Sequence, residues 1–183
     1  MGQRGTEVAR EAAEIVLLDD SFATIVEAVH EGRRIFDDIR KFIRYTMTSN
    51  SGEIWVLVLA PFLGLPLPLL PLHILWVNLV TDGFPGLALS AEPAERDIMT
   101  RDPRPADEGI FTRDMVSHIF WVGLAIGGLT LATQAWAWNN QIEHWQTMVF
   151  TVLVFAQLFH SLAIRSERFS LFSIGLFTNP ALA

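Results

Sequence analysis

Residues 72–90 read LHILWVNLVTDGFPGLALS, a stretch close to the ~20 residues that a bilayer-crossing helix needs, yet Asn78, Thr81, Asp82, Gly83 and Pro85 sit at its centre. Three further apolar runs of similar length cover roughly 42–63, 116–138 and 145–164, and another begins at Phe169. With 51% hydrophobic residues among 183, the chain is too apolar for an ordinary soluble domain of its size. The expected fold is mainly α: a multi-pass transmembrane helical bundle of four spans in a lipid bilayer, with the start of a truncated further span at 169–183. No cleavable signal peptide is visible in the charged, amphipathic first forty residues, and the absence of Cys excludes disulfides and thiolate metal sites.

Charge placement sets the expected topology. All thirteen Lys and Arg fall in the segment through Arg44, in the connection holding Arg96, Arg101, Arg104 and Arg113, or at Arg165 and Arg168. The connections GLPLPLLP and NNQIEH have none. By the positive-inside rule the N-terminus, the 91–115 loop and the 165–168 loop are expected to be cytoplasmic, in a cell membrane. Trp136, Trp138 and Trp145 flank the opposite turn, where an aromatic belt is expected.

Of twenty acidic residues only Glu53 and Asp82 lie well inside apolar runs, and no Lys or Arg lies deep in any of them. A carboxylate at membrane depth costs on the order of 2.5 kcal/mol or more, so each must be protonated, face water or hold a cation. Asn50 and Glu53 are spaced i, i+3, and Asn78, Thr81 and Asp82 i, i+3, i+4, which puts each set on one helix face. Such hard oxygen donors suit Ca²⁺, Mg²⁺ or Mn²⁺. Pro85 removes a main-chain donor and Gly83 loosens the helix, so the backbone near Asp82 is expected to kink or unwind, as it does at ion sites in transporters. The plainer alternative is that these polar groups only hydrogen-bond neighbouring helices.

The N-terminal segment reads as α/β. TEVAREAAE suggests a short helix, and EIVLLDD a strand buried on both faces that needs partner strands from elsewhere. A helical pattern starts near Phe22 and is expected to break near Gly32. Asp19 and Asp20 read as turn residues rather than cation ligands. His73, His118 and His160 suit interfacial or packing roles, and Gly123, Gly127 and Gly128 suit close helix packing. The 92–105 loop reads as a solvated connector. Basic residues interleaved with acids at membrane edges exclude a nucleic-acid surface.

The segment RYTMTSNSGEIWVLVLAPFLGLPLPLLPLHILWVNLVTDGFPGLALSAEPAERDIMTRDPR closely resembles the fifth and sixth transmembrane helices, and the loop after them, of calcium-type P-type ATPases. Residues 1–45 resemble the end of that family's phosphorylation domain and the stalk of its fifth helix. The resemblance implies a phosphorylation-domain remnant at 1–30, a stalk helix at 31–44, and a membrane domain at 42–168 with spans near 42–63, 72–90, 116–138 and 145–164. It implies transport ligands at Asn50, Glu53, Asn78, Thr81 and Asp82. Gln157 matches an eighth-helix position that contributes Glu in the sarcoplasmic-reticulum pumps, a departure that weakens the case for a second, fully charged cation site. The family's D-K-T-G, T-G-E and G-D-G-x-N-D motifs, its nucleotide domain and its fourth helix with P-E-G-L are absent, so the chain is expected to be a pump fragment that does not hydrolyse ATP alone.

The function expected from the resemblance is the cation-binding membrane part of an ATP-driven pump. Ca²⁺ is the first choice of ion and Mn²⁺ chemically close, because the family's sodium and potassium pumps tend to carry Asp where this chain has Asn78. ATP and Mg²⁺ would act only in the missing upstream domains. Carboxylates that release a cation at membrane depth are cheapest to hold with protons, so proton counter-transport is expected. The alternative class is a non-enzymatic membrane protein, either a passive cation pathway or an accessory subunit.

Overall fold

The structure, a computed structural model, describes residues 5–19, 21–105, 109–166, 169, 173, 175 and 178–182. Residues 170–172, 174, 176, 177 and 183 of the expected span at 169–183, together with Asp20 and Arg168, lie outside the described residues. Six α-helices are present among them: α1 (Glu7–Glu11), α2 (Phe22–Phe62), α3 (Pro71–Trp76), α4 (Gly83–Leu89), α5 (Arg113–Asn139) and α6 (Trp145–Ala163). A π-helical turn, Val77–Thr81, joins α3 to α4. The chain divides into two units, Met1–Asp37 with Ala94–Asp102, and Asp38–Pro93 with Pro103–Ala183.

In the first unit, Thr6 caps α1 by accepting from the Ala9 N–H at 3.3 Å. Asp19 accepts from the Ser21 N–H at 3.1 Å and from the Thr24 hydroxyl, and Ser21 Oγ accepts from the Ala23 N–H at 3.2 Å. These bonds satisfy donors at the start of α2, and the Thr24 hydroxyl holds the Asp19 carboxyl below its ordinary range. The expected strand at 14–20 does not form: residues 15–17 are irregular, and no strand occurs among the described residues. A lone strand leaves its main-chain groups unpaired, so an apolar run without partner strands gains nothing by extending. The expected break near Gly32 is also absent, since α2 runs through it. One glycine costs a helix only about 1 kcal/mol, too little to interrupt one this long.

The 92–105 loop is more than a solvated connector. Arg33 Nη1 donates to the carbonyls of Ile98 (2.8 Å) and Arg101 (2.9 Å), and Ile98 is buried. Arg101 in turn pairs with Asp37 and Asp97 at 2.7 Å each, and with Glu95. The hydrogen bonds to Asp97, with the charges of Glu95 and Asp37, hold the Arg101 guanidinium above its already high ordinary value.

The second unit is built for an apolar solvent. Three helical stretches, Pro71–Leu89 with its π-turn, Arg113–Asn139 and Trp145–Ala163, are long and apolar enough to cross a membrane. The expected first span, 42–63, is helical to Phe62, but Thr46, Thr48, Ser49, Asn50, Ser51 and Glu53 dilute its hydropathy below that of the others. Leu72, Leu75, Leu79, Phe84, Leu87, Phe155 and Phe159 face outward, as lipid-facing positions do. The interior is a cluster of Val56 and Ala60 from α2, Leu69, Ile126 and Leu131 from α5, and Leu153 from α6.

Because lipid is as apolar as leucine, helices in a membrane associate through close packing and polar contacts rather than burial alone. A Cβ on Gly127 would lie 2.8 Å from Trp55 Cβ and 3.1 Å from the Gly52 carbonyl, so α5 rides directly on the α2 backbone. Gly123 meets Ser51 and Gly52 in the same seam. Gly128, expected to join them, faces open space.

Polar contact is concentrated at Arg165, just beyond α6, which is only 1% exposed. Its Nε lies 3.1 Å and its Nη2 2.8 Å from Glu92 Oε1, its Nη1 donates to the Gly175 carbonyl at 2.9 Å, and its Nη2 also donates to Thr178 Oγ1 at 2.6 Å. Asn179 Nδ2 completes the set by donating to Glu92 Oε2 (2.7 Å) and to the Ala88 carbonyl (2.8 Å).

Two outcomes follow for this unit. Gly127→Leu should lower stability by about 1–3 kcal/mol through overpacking while Gly128→Leu stays near neutral, measured by thermal unfolding in detergent. Arg165→Met should cost about 3–5 kcal/mol by stranding buried Glu92, and adding Glu92→Leu should recover most of that loss in the same assay.

Candidate cation site

The break in the second apolar helix has a traceable cause. Pro85 has no N–H, and its ring crowds the carbonyl four residues earlier, that of Thr81. The regular ladder therefore fails at this carbonyl. The Asp82 N–H bonds the Val77 carbonyl five residues back at 2.9 Å, which makes the π-turn, and the ordinary spacing resumes with the Gly86 N–H on the Asp82 carbonyl at 3.0 Å. Asp82 thus stands at the junction of the π-turn and α4, as the sequence led one to expect.

Across from this junction, α2 presents Tyr45, Ser49 and Glu53 at i, i+4, i+8, one face of the helix, and all three are buried. Glu53 gathers two neighbours. Asn78 Nδ2 in the π-turn donates to its Oε2 at 3.2 Å, and Gln157 Nε2 on α6 donates to its Oε1 at 3.1 Å. Asn78 is fixed further by donating to the Ile74 carbonyl at 2.9 Å, although the residue itself remains exposed. Three elements are thereby tied at one carboxylate.

Asp82 is 3% exposed, and neither carboxylate oxygen accepts a hydrogen bond of ordinary geometry. The Ser49 and Tyr45 hydroxyls lie beside it, and Glu53 is near enough to interact with it electrostatically. Thr81 is buried next to it in sequence. Gln157 Oε1, Ser49 Oγ and Thr48 Oγ1 are also buried without a donor. Asn50 stands apart: it is half-buried and no hydrogen bond ties it to the other five. The structure therefore ties Glu53, Asn78 and Gln157 together by hydrogen bonds, buries Asp82 within electrostatic reach of Glu53 with Thr81 next to it in sequence, and gives Asn50 no hydrogen bond to the others.

Chemically this is a collection of hard oxygens short of donors. Buried polar atoms ordinarily find partners, and oxygen acceptors of this kind are of the class that hard divalent cations take as ligands. The described residues hold no group of three His, Asp or Glu that could hold a metal ion. His118 and His160 instead form a ring stack, centroids 5.3 Å apart, with His160 also stacked on Tyr45 at 6.2 Å.

Two residues at the site escape a reading of the sequence based on carboxylates alone, Tyr45 and Ser49. Their signal was the spacing of four back from Glu53 and four again, which puts both on the carboxylate's face, and Tyr45 is the chain's only tyrosine.

Comparison with known proteins agrees with this architecture. Residues 66–183 match the family model described as cation transporting ATPase, C-terminus. The chain is 48% identical over 182 residues to a calcium-transporting ATPase of Bacillus subtilis, with 98% of this chain and 20% of that protein covered. It is 44% identical over 200 residues to calcium-transporting ATPase 1 of Bacillus cereus, covering 100% of this chain and 22% of that one. It is 39% identical over 181 residues to calcium-transporting ATPase 1 of Yarrowia lipolytica, with 98% and 20% covered. The chain thus spans about a fifth of the length of these relatives. With a helix broken at a buried carboxylate, a second carboxylate facing it and a family match over more than half its length, the chain belongs to the cation-transporting ATPases.

Proposed function

We propose that this chain forms the cation-binding membrane part of an ATP-driven P-type pump that exports Ca²⁺ and returns protons. The observation that carries the reading is the pair of buried carboxylates, Glu53 and Asp82, of which Asp82 has no hydrogen-bond donor of ordinary geometry. Desolvated negative charge of this kind is costly unless a cation compensates it, and two formal charges balance one divalent ion. The relatives named calcium-transporting ATPases support Ca²⁺ as the cargo; Mn²⁺ is the nearest chemical competitor, taking the same oxygen donors.

Glu53, Asn78, Thr81, Asp82 and Gln157 would ligate the ion, with Asn50 recruited as the site closes. Asn78 is exposed, so the site is open on its side. A fourth transmembrane helix, one of the upstream parts the family resemblance implies, would close it. ATP and Mg²⁺ would act in those upstream domains. Phosphorylation there would move α2, which carries Glu53, and so change the side from which the ion is reached. On ion release the two carboxylates would take up protons, which makes the return transport a consequence of burial.

Asp82→Asn keeps the size and one carbonyl oxygen and removes one of the two charges. In the full-length protein it should insert normally but lose several kcal/mol of Ca²⁺ affinity, and with it Ca²⁺-dependent phosphorylation by ATP. Phosphorylation by inorganic phosphate, run without Ca²⁺, should persist. Wild-type Ca²⁺ affinity in that variant would overturn the assignment. The multi-pass arrangement with a cytoplasmic N-terminus has its own check: single cysteines at Asn140 and Asp102 should label from opposite sides of sealed vesicles, and same-side labelling would exclude four spans.

A further inference from the structure

The Thr81 carbonyl that Pro85 leaves without its helical donor does not stay unpaired. Tyr45, 36 residues away on α2 and fully buried, donates its hydroxyl to that carbonyl at 2.9 Å. The other end of the same peptide group is held as well, because the Asp82 N–H donates to the Val77 carbonyl at 2.9 Å. A peptide unit is planar, so fixing its oxygen and its nitrogen fixes the plane that carries the Asp82 Cα. With the Asp82 φ at −89°, the direction of its Cα–Cβ bond then follows. The Tyr45 ring is itself supported from behind by the His160 ring stacked on it.

We propose that Tyr45 is a positioning residue for the cation site: its hydroxyl replaces the N–H that Pro85 lacks and holds the helix break in the geometry that aims Asp82. The role rests on the reading of Asp82 as a cation ligand, but the hydrogen bond it invokes is independent of any ion. Tyr45 has two atoms to choose between, since Asp82 also lies beside its hydroxyl. A donor to the carbonyl acts through the backbone, whereas a donor to the carboxylate would act on the ligand directly. Restoring an N–H at position 85 separates the two, because it supplies the carbonyl's partner and does nothing for the carboxylate.

The experiment uses the full-length protein in detergent as wild type and as three variants: Tyr45→Phe, Pro85→Ala and the double. Tyr45→Phe keeps the ring and removes only the O–H. Equilibrium ⁴⁵Ca²⁺ binding should weaken roughly tenfold in Tyr45→Phe. In the Pro85→Ala background the same substitution should change binding little, a positive coupling in the double-mutant cycle. Amide hydrogen exchange over residues 77–86, measured without Ca²⁺, should speed up in Tyr45→Phe and be insensitive to it once Pro85 is Ala. Unchanged exchange in Tyr45→Phe overturns the proposal, whatever the ion result. A Ca²⁺ loss of equal size in both backgrounds also overturns it, in favour of direct contact with Asp82. If wild type binds no Ca²⁺, the functional reading fails, and the exchange cycle still decides the role of Tyr45.

Discussion

In a medium without water, every peptide group must find its partner inside the protein, and in this chain Pro85 withdraws one. An orphaned carbonyl at that depth would cost several kcal/mol. The structure answers with two local adjustments, a π-turn that re-pairs the Asp82 N–H with Val77 and a tyrosine from another helix that takes the Thr81 carbonyl. The second requires α2 to pack closely against the broken helix. Phe42 on α2 accordingly sits where a Cβ on Gly86 would come within 2.7 Å of its ring. The seam of Gly52, Gly123 and Gly127 brings α5 onto the other side of α2. The polar site thus exists because the backbone defect must be repaired from a neighbour, and the repair brings Tyr45, Ser49 and Glu53 against Asp82.

The membrane unit treats its buried charges in two opposite ways. Glu92 is matched by Arg165 and Asn179, so that each carboxylate oxygen has a donor and the pair serves as a joint. Glu53 receives only neutral amide donors, and Asp82 receives none of ordinary geometry. The same residue class has a cationic partner in one place and none in the other. A structural carboxylate could have been paired in both places. The contrast favours an exchangeable positive partner over a packing role for Glu53 and Asp82, because packing alone gives no reason to keep the charge uncompensated.

Much of this was legible in the chain itself. The lengths of the apolar runs, the helix start near Phe22, and the polar interruption at 78–85 each follow from composition and periodicity, which local structure obeys. The misreadings share one cause. The strand at 14–20 and the break at Gly32 were inferred from local preference, and both are outcomes that partners decide: a strand needs neighbours to pair with, and a long helix absorbs a single glycine. The loop at 92–105 looked solvated because it is charged, yet Arg101 uses that charge to bind Asp37, Asp97 and Glu95.

The sequence by itself determined that two carboxylates would be buried without basic company, and that Pro85 would break the helix beside one of them. Both are properties of residue type and position, independent of how the helices meet. Only the tertiary structure decided that Tyr45 would meet the freed Thr81 carbonyl, and that Gln157 would reach Glu53 from 104 residues away. Those outcomes depend on the rotation and register of one helix against another. Register is set by the small-residue seam and the polar network acting together, and neither is visible in the spacing of residues along a single helix.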